Sequence, residues 1–559
     1  MSVDAAVNGP PPTRGARNAN AVARALRVLH ERRGNLFVTG RAGTGKTAFL
    51  ERARTEMEDA GREVAVVAFS GMAAVQAGGQ TIHSFFGLEL HAVHPDGPAY
   101  PAGGRKLKAL PVGKREVAVT LDLLFVDEVS MVRADILDAI DHRLRIARKR
   151  PDEPFGGVQV CLIGDAFQLP PVVTTGEERA LLRDAYGESF AFFAARVFDR
   201  DAWTAVELPE VMRQRGGGPF VEVLNRIRVG DNTAADLAVL NERVVPPYAV
   251  AFTDDDDAPL LTSTNASVAE RNRTALARLT TPLHRFDGTT VGRFEERNRP
   301  APNRLELRVG ALVLFVRNDR GAQGRYVNGT LGVVSAIVRE IVTVTTRDGT
   351  LVNVTSEVWD QSEYFYDVAR RTLRARVVGS YTQIPLKLAY AMTIHKSQGL
   401  SLDTARVDVS STFLPGQTYV ALSRVRSLEG LLLERPVRPR DVKVDPAAIA
   451  FQRWVDAQQD GARQRAAGGS GRPFRKTSGL VSAGGLMPRF VPPKLPRATA
   501  PSDGEEGAEA AVVVAHATDA GRARTRAELE AEIEALRRQR DELLRVVRRM
   551  QRVVAGVGE

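Results

Sequence analysis

From Ala21 to about Val206, short apolar runs alternate with helical patterns. Leu36–Val38, Val64–Phe69, Leu121–Val126 and Val158–Ile163 are too short for helices and almost wholly apolar, the pattern of strands buried on both faces of a parallel sheet. The alternation predicts a RecA-like α/β domain over 19–206. Between 87 and 120 it lapses into a Pro/Gly-rich stretch carrying Arg105, Lys106, Lys108, Lys114 and Arg115, which is predicted as a small insertion. A second α/β region occupies 207–304 and 380–458. It is interrupted by β-branched runs, Ala311–Arg317, Leu331–Val338, Ile341–Thr346 and Leu351–Thr355, punctuated by Asn328-Gly329 and Asp348-Gly349. Asn-Gly and Asp-Gly favour tight hairpins, so 305–379 is predicted as a small β-barrel. Residues 1–18 and 459–523 lack periodicity and are predicted disordered, and the acidic run Asp254–Asp257 is read as a solvated loop. A capping box, Thr525 with Glu528, then opens a helix with Leu529, Ile533, Leu536, Arg540, Leu543, Val547, Met550 and Val554 at alternating spacings of four and three. That seam predicts a coiled coil over 524–555.

Composition narrows the class. With 559 residues, 43% hydrophobic and 26% charged, the chain exceeds one hydrophobic core and is composed as a globular protein. It has no apolar run near the roughly 20 residues that span a bilayer, and its first twelve residues hold Asp4 and three prolines instead of a signal core. A soluble intracellular protein is expected. Arg472–Lys476 is too weak a basic cluster to fix the compartment, and Asp4 favours the nucleus over the mitochondrion in a eukaryotic cell. Cys161 is the sole cysteine and lies in an apolar run, which makes it a core residue and rules out internal disulfides. The net charge of +10 is concentrated in the tail: residues 461–500 hold eight Arg and Lys and no Asp or Glu, whereas the first 460 residues carry only +4. An anionic partner would meet a local patch on the core and a separate basic element behind it.

The chemistry begins at Gly40-Arg41-Ala42-Gly43-Thr44-Gly45-Lys46-Thr47, a phosphate-binding loop between a strand and a helix. Its glycines let backbone N–H groups curl around a polyphosphate, Lys46 reaches the terminal phosphates and the Thr47 hydroxyl binds Mg²⁺. ATP and Mg²⁺ are the expected cofactors. Some eighty residues on, a buried strand ends in Asp127-Glu128, suited to divided tasks: Asp127 on the metal, Glu128 polarising the attacking water. Gln168, in Gly164–Pro171, is placed to sense the γ-phosphate, and Arg213 and Arg424 in the second domain are candidate arginine fingers.

In order along the chain, these segments together with Thr393-Ile394-His395-Lys396-Ser397-Gln398-Gly399 and Gly416–Arg424 resemble the helicase motifs of superfamily 1, over about residues 20–435. Asp135–Asp138 followed by Arg143, Pro154–Gln159, and Gly79–Phe86 are similar to the signature of the PIF-type (petite integration frequency) DNA helicases. The resemblance implies two RecA-like domains with a wedge insertion in the first and an SH3-like barrel in the second. It implies an ATP-dependent motor moving 5′ to 3′ on single-stranded DNA and unwinding duplexes, forks, RNA–DNA hybrids or other structures in genome maintenance. Under it, DNA contacts fall to Gly71, His83, Ser84 and Phe85 on the first domain and to Thr393, His395 and Lys396 on the second, with Phe85 stacking a base. An ATP-switched clamp or translocase and an RNA helicase are the alternatives. One departure stands out: Asn18–Gly34 contains no glutamine to read adenine, leaving Asn18 or Asn20 as substitutes. The basic tail and coiled coil are expected to tether DNA and to mediate self-association or a protein partner.

Overall fold

The computed structural model describes residues 16–32, 34–89, 91–92, 110–173, 175–212, 218–245, 258–319 and 325–467. The predicted N-terminal tail before Ala16, residues 93–109 of the first insertion, Arg213, Asp254–Asp257 and the predicted coiled coil lie outside them.

Six strands form the first sheet: β1 (Asn35–Gly40), β2 (Val64–Ala68), β3 (Gln80–Thr81), β4 (Leu123–Asp127), β5 (Gln159–Gly164) and β6 (Trp203–Leu208). They pair in parallel in the order β3-β2-β4-β5-β1-β6. The central strands β1, β2 and β5 are buried at every position, as expected of a parallel sheet covered on both faces. Cys161 is fully buried in β5, where burial pushes its thiol up. β6 lies at the sheet edge and is half-buried at Thr204 and Glu207, so it lacks the all-apolar signature of the others. The second α/β unit has a parallel four-stranded sheet of Ala391–Thr393, Leu260–Thr262, Ala405–Val407 and Leu431–Leu433, in that spatial order.

The segment between is β-rich. An antiparallel five-stranded sheet runs Leu351–Val354, Ile341–Thr346, Leu331–Val338, Leu312–Phe315, Leu386–Leu388, closing over a core of Leu307, Val313, Phe315, Val334, Val344 and Leu386. Its Asp348-Gly349 turn has Gly349 at φ 84°, with Asp348 Oδ1 accepting from the Thr346 hydroxyl and the Thr350 N–H. A long hairpin, Glu357–Asp367 with Thr372–Gln383, reaches the first domain. β3 covers only the end of β2, from Val67, so the Val66 N–H lacks a strand partner and donates to the Tyr364 hydroxyl at 3.1 Å. The Leu373 N–H donates to Glu63 at 2.7 Å beside it.

The helix Pro446–Ala467 runs nine residues into the segment predicted disordered from 459, a correction with a clear physical cause. Phe451 stacks on Phe193 at 4.5 Å and sits 5.3 Å from Phe37, while Val455, one turn on, joins the same first-domain core. Gln459 donates to the Ala205 carbonyl at 2.9 Å.

The two α/β units meet through a buried ion pair. Asp165, at the end of β5, accepts from Arg228 at 2.8 and 3.1 Å, and the guanidinium lies 4.3 Å over the Phe167 ring. The Tyr419 hydroxyl donates to Asp165 at 3.4 Å and accepts the Ala42 N–H of the phosphate loop at 3.1 Å. Burial raises the Asp165 carboxyl, but the charge and hydrogen bonds of Arg228 outweigh it and hold it below the usual range. The pair therefore stabilises at all pH above the ordinary carboxylate range and is lost only as acid protonates Asp165. Asp165→Ala strands a buried guanidinium and is expected to cost about 3–5 kcal/mol in denaturant unfolding, whereas Asp165→Leu with Arg228→Met recovers much of that loss.

Candidate nucleotide cleft and nucleic-acid groove

The phosphate loop follows β1 and runs into the helix Lys46–Asp59. Gly45 caps that helix at φ 94°, a left-handed conformation that favours glycine, and no side chain caps it. The first-turn N–H groups are thus left for an anion. The Lys46 ammonium donates to the Gly40 and Arg41 carbonyls at 2.7 and 3.1 Å, folded back along the loop. Gly40 also permits close packing, since a Cβ there would overlap the Thr44 hydroxyl.

One cleft of about 480 Å³ is lined by Ala42–Ala48, Glu128, Gln168, Met212, Gly399, Ser401, Arg424 and Arg426. It unites the phosphate-loop residues with Glu128 and Gln168 of the first domain and Arg424 of the second. Glu128 has φ 49°, an uncommon conformation for a residue with a side chain, and its N–H donates to Asp127 Oδ1 at 2.9 Å. Burial, and after it the charge of Glu128, pushes the Asp127 carboxyl up to about 7. Arg424 is 1% exposed, its guanidinium braced by the Val420 carbonyl at 2.8 Å, the Ser423 hydroxyl at 2.8 Å and the Ser397 carbonyl at 3.4 Å. Arg213 lies outside the described residues, but the Met212 N–H before it donates to the Gly43 carbonyl at 2.8 Å and brings that segment to the loop.

Asn18 does not stand in for the missing glutamine. Its amide donates to the Thr44 and Glu210 carbonyls at 3.1 and 2.8 Å and accepts the Glu210 N–H at 2.8 Å, so both of its amide hydrogens are spent on the protein. Two residues that the sequence reading quoted without a role are structurally central. Tyr419 joins the phosphate loop to Asp165. Gln398 donates to Glu128 at 3.0 Å and to Gln168 at 3.1 Å.

The expected DNA contacts fare unevenly. On the second domain, Thr393 caps the turn Ile394–Ser397 by accepting the Lys396 N–H at 3.2 Å, His395 is half-buried and Lys396 is exposed. On the first, Gly71 opens the helix Gly71–Gln76 with Asn298 packed so closely that a Cβ at Gly71 would overlap its amide. His83 lies edge-on to Phe69 at 5.6 Å; burial, then Arg133 and Arg297, holds it down at about 4. The Ser84 carbonyl accepts from Lys114. Phe85 is 5% exposed, edge-on to Phe86 at 4.7 Å and to Tyr364 at 5.8 Å. Both neighbours cover its ring, so Phe85 is a packed residue in this conformation.

Comparison with known proteins agrees with this geometry. A family model described as PIF1-like helicase matches residues 17–236. The chain is 33% identical over 430 residues to the ATP-dependent DNA helicase Pif1 of Bdellovibrio bacteriovorus, an alignment covering 76% of this chain and 89% of that protein. Among solved structures, Pif1 from Bacteroides sp in complex with ADP-AlF4 matches at TM-score 0.71 and 36% identity, over 78% of this chain and 97% of that one. Bacteroides Pif1 bound to ssDNA matches at 0.55 and 37% identity, over 79% and 97%. The phosphate loop, the paired carboxylates, the glutamine and the opposed arginine are thus held in a fold shared along nearly the whole length of these relatives, and the chain belongs to the PIF1-like helicase family.

Proposed function

We propose that this chain is an ATP-driven DNA helicase that moves 5′ to 3′ along single-stranded DNA and unwinds duplex, forked or otherwise structured DNA in genome maintenance. The observation that carries the reading is the single cleft lined by Lys46, Glu128 and Gln168 from one α/β unit and Arg424 from the other. A site divided in this way ties phosphoryl transfer to the separation of the two units, which is what a translocating motor requires. Lys46 leaves its loop carbonyls for the β- and γ-phosphates, Glu128 takes the proton of the attacking water, Gln168 senses the γ-phosphate, and Arg424 with Arg213 neutralises transition-state charge.

The donors at the loop fit a hard cation. Thr47 is exposed at the first turn of its helix, and Asp127 spends Oδ1 on the Glu128 N–H and keeps Oδ2, an oxygen pair of the kind Mg²⁺ prefers. Thr47 and Asp127 would hold Mg²⁺ there with the triphosphate, and the ion would supply charge neutralisation.

Thr393, His395 and Lys396 contact DNA phosphates on the second unit. Gly71, His83 and Ser84 do so on the first once Asn298 and the hairpin carrying Tyr364 withdraw. A groove that follows the backbone also admits RNA–DNA hybrids. The five-stranded sheet serves as the SH3-like insertion, and residues beyond 467 as a basic tether and a coiled coil for self-association or a partner. No helix among the described residues is long and apolar enough to cross a membrane.

Wild-type protein is expected to unwind duplexes bearing a 5′ single-stranded tail and not those bearing a 3′ tail. Glu128→Gln should bind ATP with hydrolysis reduced about 10²–10⁴-fold, and Lys46→Ala should lose hydrolysis and weaken nucleotide binding; unwinding from 3′ tails or brisk turnover by Glu128→Gln would overturn these roles. His83 sets a pH dependence of the same sign as the Asp165–Arg228 pair, though its cause is burial and not attraction to a partner. Its folded pKa of about 4 lies below the ordinary 6.5, so the unfolded chain takes up the proton first and stability falls as pH drops from about 6.5 to about 4. In urea unfolding across that window, His83→Gln should show a shallower decline than wild type.

A further inference from the structure

We propose that Gln398 is a positioning residue for hydrolysis, the link by which the turn carrying Thr393, His395 and Lys396 sets the place of Glu128 and of the attacking water. The inference rests on the ATPase reading of the cleft. Its geometric basis is specific. The Gln398 amide has two hydrogens, and both are spent across the cleft, at 3.0 Å on Glu128 Oε2 and at 3.1 Å on Gln168 Oε1. These are the first unit's groups for the water and the γ-phosphate, and one side chain of the second unit holds them together. The other end of the amide, Oε1, is buried and has no hydrogen-bond partner among the described residues. In the loaded cleft we assign that acceptor to the attacking water.

The backbone explains why that amide follows the DNA-facing turn. Gln398 caps the turn Ile394–Ser397, donating its N–H to the His395 carbonyl, while the Thr393 hydroxyl caps the other end. The Ser397 hydroxyl closes on the Ile394 carbonyl at 2.8 Å, and the Ser397 carbonyl takes Arg424 at 3.4 Å. The six residues from Thr393 to Gln398 are thus tied into one body, with Gly399 at φ 82° forming the bend behind them. A backbone phosphate pulling on Thr393, His395 or Lys396 displaces the amide with the turn.

The residue type suits the task. A neutral amide donates to a carboxylate and to a second amide at once; a carboxylate there would repel Glu128, and an ammonium would quench it as a base. In the step itself the water oxygen bonds to the γ-phosphorus as the bond to the β–γ bridging oxygen breaks and ADP leaves. One water hydrogen passes to Glu128, and the second is held by Gln398 Oε1, which aims the lone pair at phosphorus.

Steady-state ATP hydrolysis of the full chain, with and without saturating single-stranded DNA, tests this in wild type, Gln398→Ala and Gln398→Glu. Binding of a fluorescent ATP analogue and of labelled DNA is measured in parallel. Both variants are expected to lose about 10²-fold in DNA-stimulated kcat, with KM for ATP and both binding constants within about twofold of wild type. Gln398→Glu keeps the acceptor and the size but loses the donors and adds a charge, so its failure isolates the hold on Glu128. Wild-type kcat in Gln398→Ala, or loss of ATP and DNA binding together with kcat, would overturn the assignment while leaving the helicase reading intact. A wild-type chain that binds ATP and DNA without hydrolysis would remove the helicase reading and this inference with it.

Discussion

The Asp165–Arg228 pair is the contact on which the catalytic cleft depends. Two opposite charges from separate α/β units have been taken out of water, and their attraction repays that cost only while the units remain apposed. The pair lies behind the phosphate loop: Tyr419 connects Asp165 to the Ala42 N–H, so the loop's position is referred to the second unit before any nucleotide arrives. Gly416 serves the same junction. At φ 75°, with the Phe167 and Gln168 carbonyls where a Cβ would stand, it lets the second unit sit directly on the strand end that carries Gln168.

Two further attachments hold the units, and they differ in character. The helix Pro446–Ala467 returns the chain to the first domain and buries Phe451 in an aromatic cluster with Phe37, Phe192, Phe193 and Phe198. That contact is apolar and extensive. The hairpin bearing Tyr364 is attached by hydrogen bonds to Val66, Glu63 and Gln80, by the edge of Phe85, and by the burial of Tyr364 in the first-domain core with Leu373 packed against it. It lies over the same first-domain surface, Gly71 to Phe85, at which DNA contacts were expected.

Much of the architecture was legible because buried parallel strands have no polar face to show. β1, β2, β4 and β5 each appeared as short apolar runs, and the β-branched runs of the insertion predicted three of its strands to within one residue. The long hairpin was not legible, since most of its residues are half-exposed and alternate without a clear apolar side. Leu386–Leu388 read as the return of the second α/β unit, yet it pairs with Leu312–Phe315, because pairing depends on which edge is open in space.

The phosphate loop, Asp127-Glu128 and Gln168 were determined by the sequence alone, because local backbone geometry and residue order suffice to build a phosphate cradle at a strand end. What only the tertiary structure decided is what faces that cradle. Arg228, Tyr419 and Gln398 are ordinary residues in sequence, and they acquire meaning from partners 63, 377 and 270 positions away. Phe85 makes the same point: its ring is covered by Tyr364, distant in sequence, a contact that its own segment does not announce. Burial and long-range hydrogen bonding are properties of the assembled chain, and no local pattern encodes them.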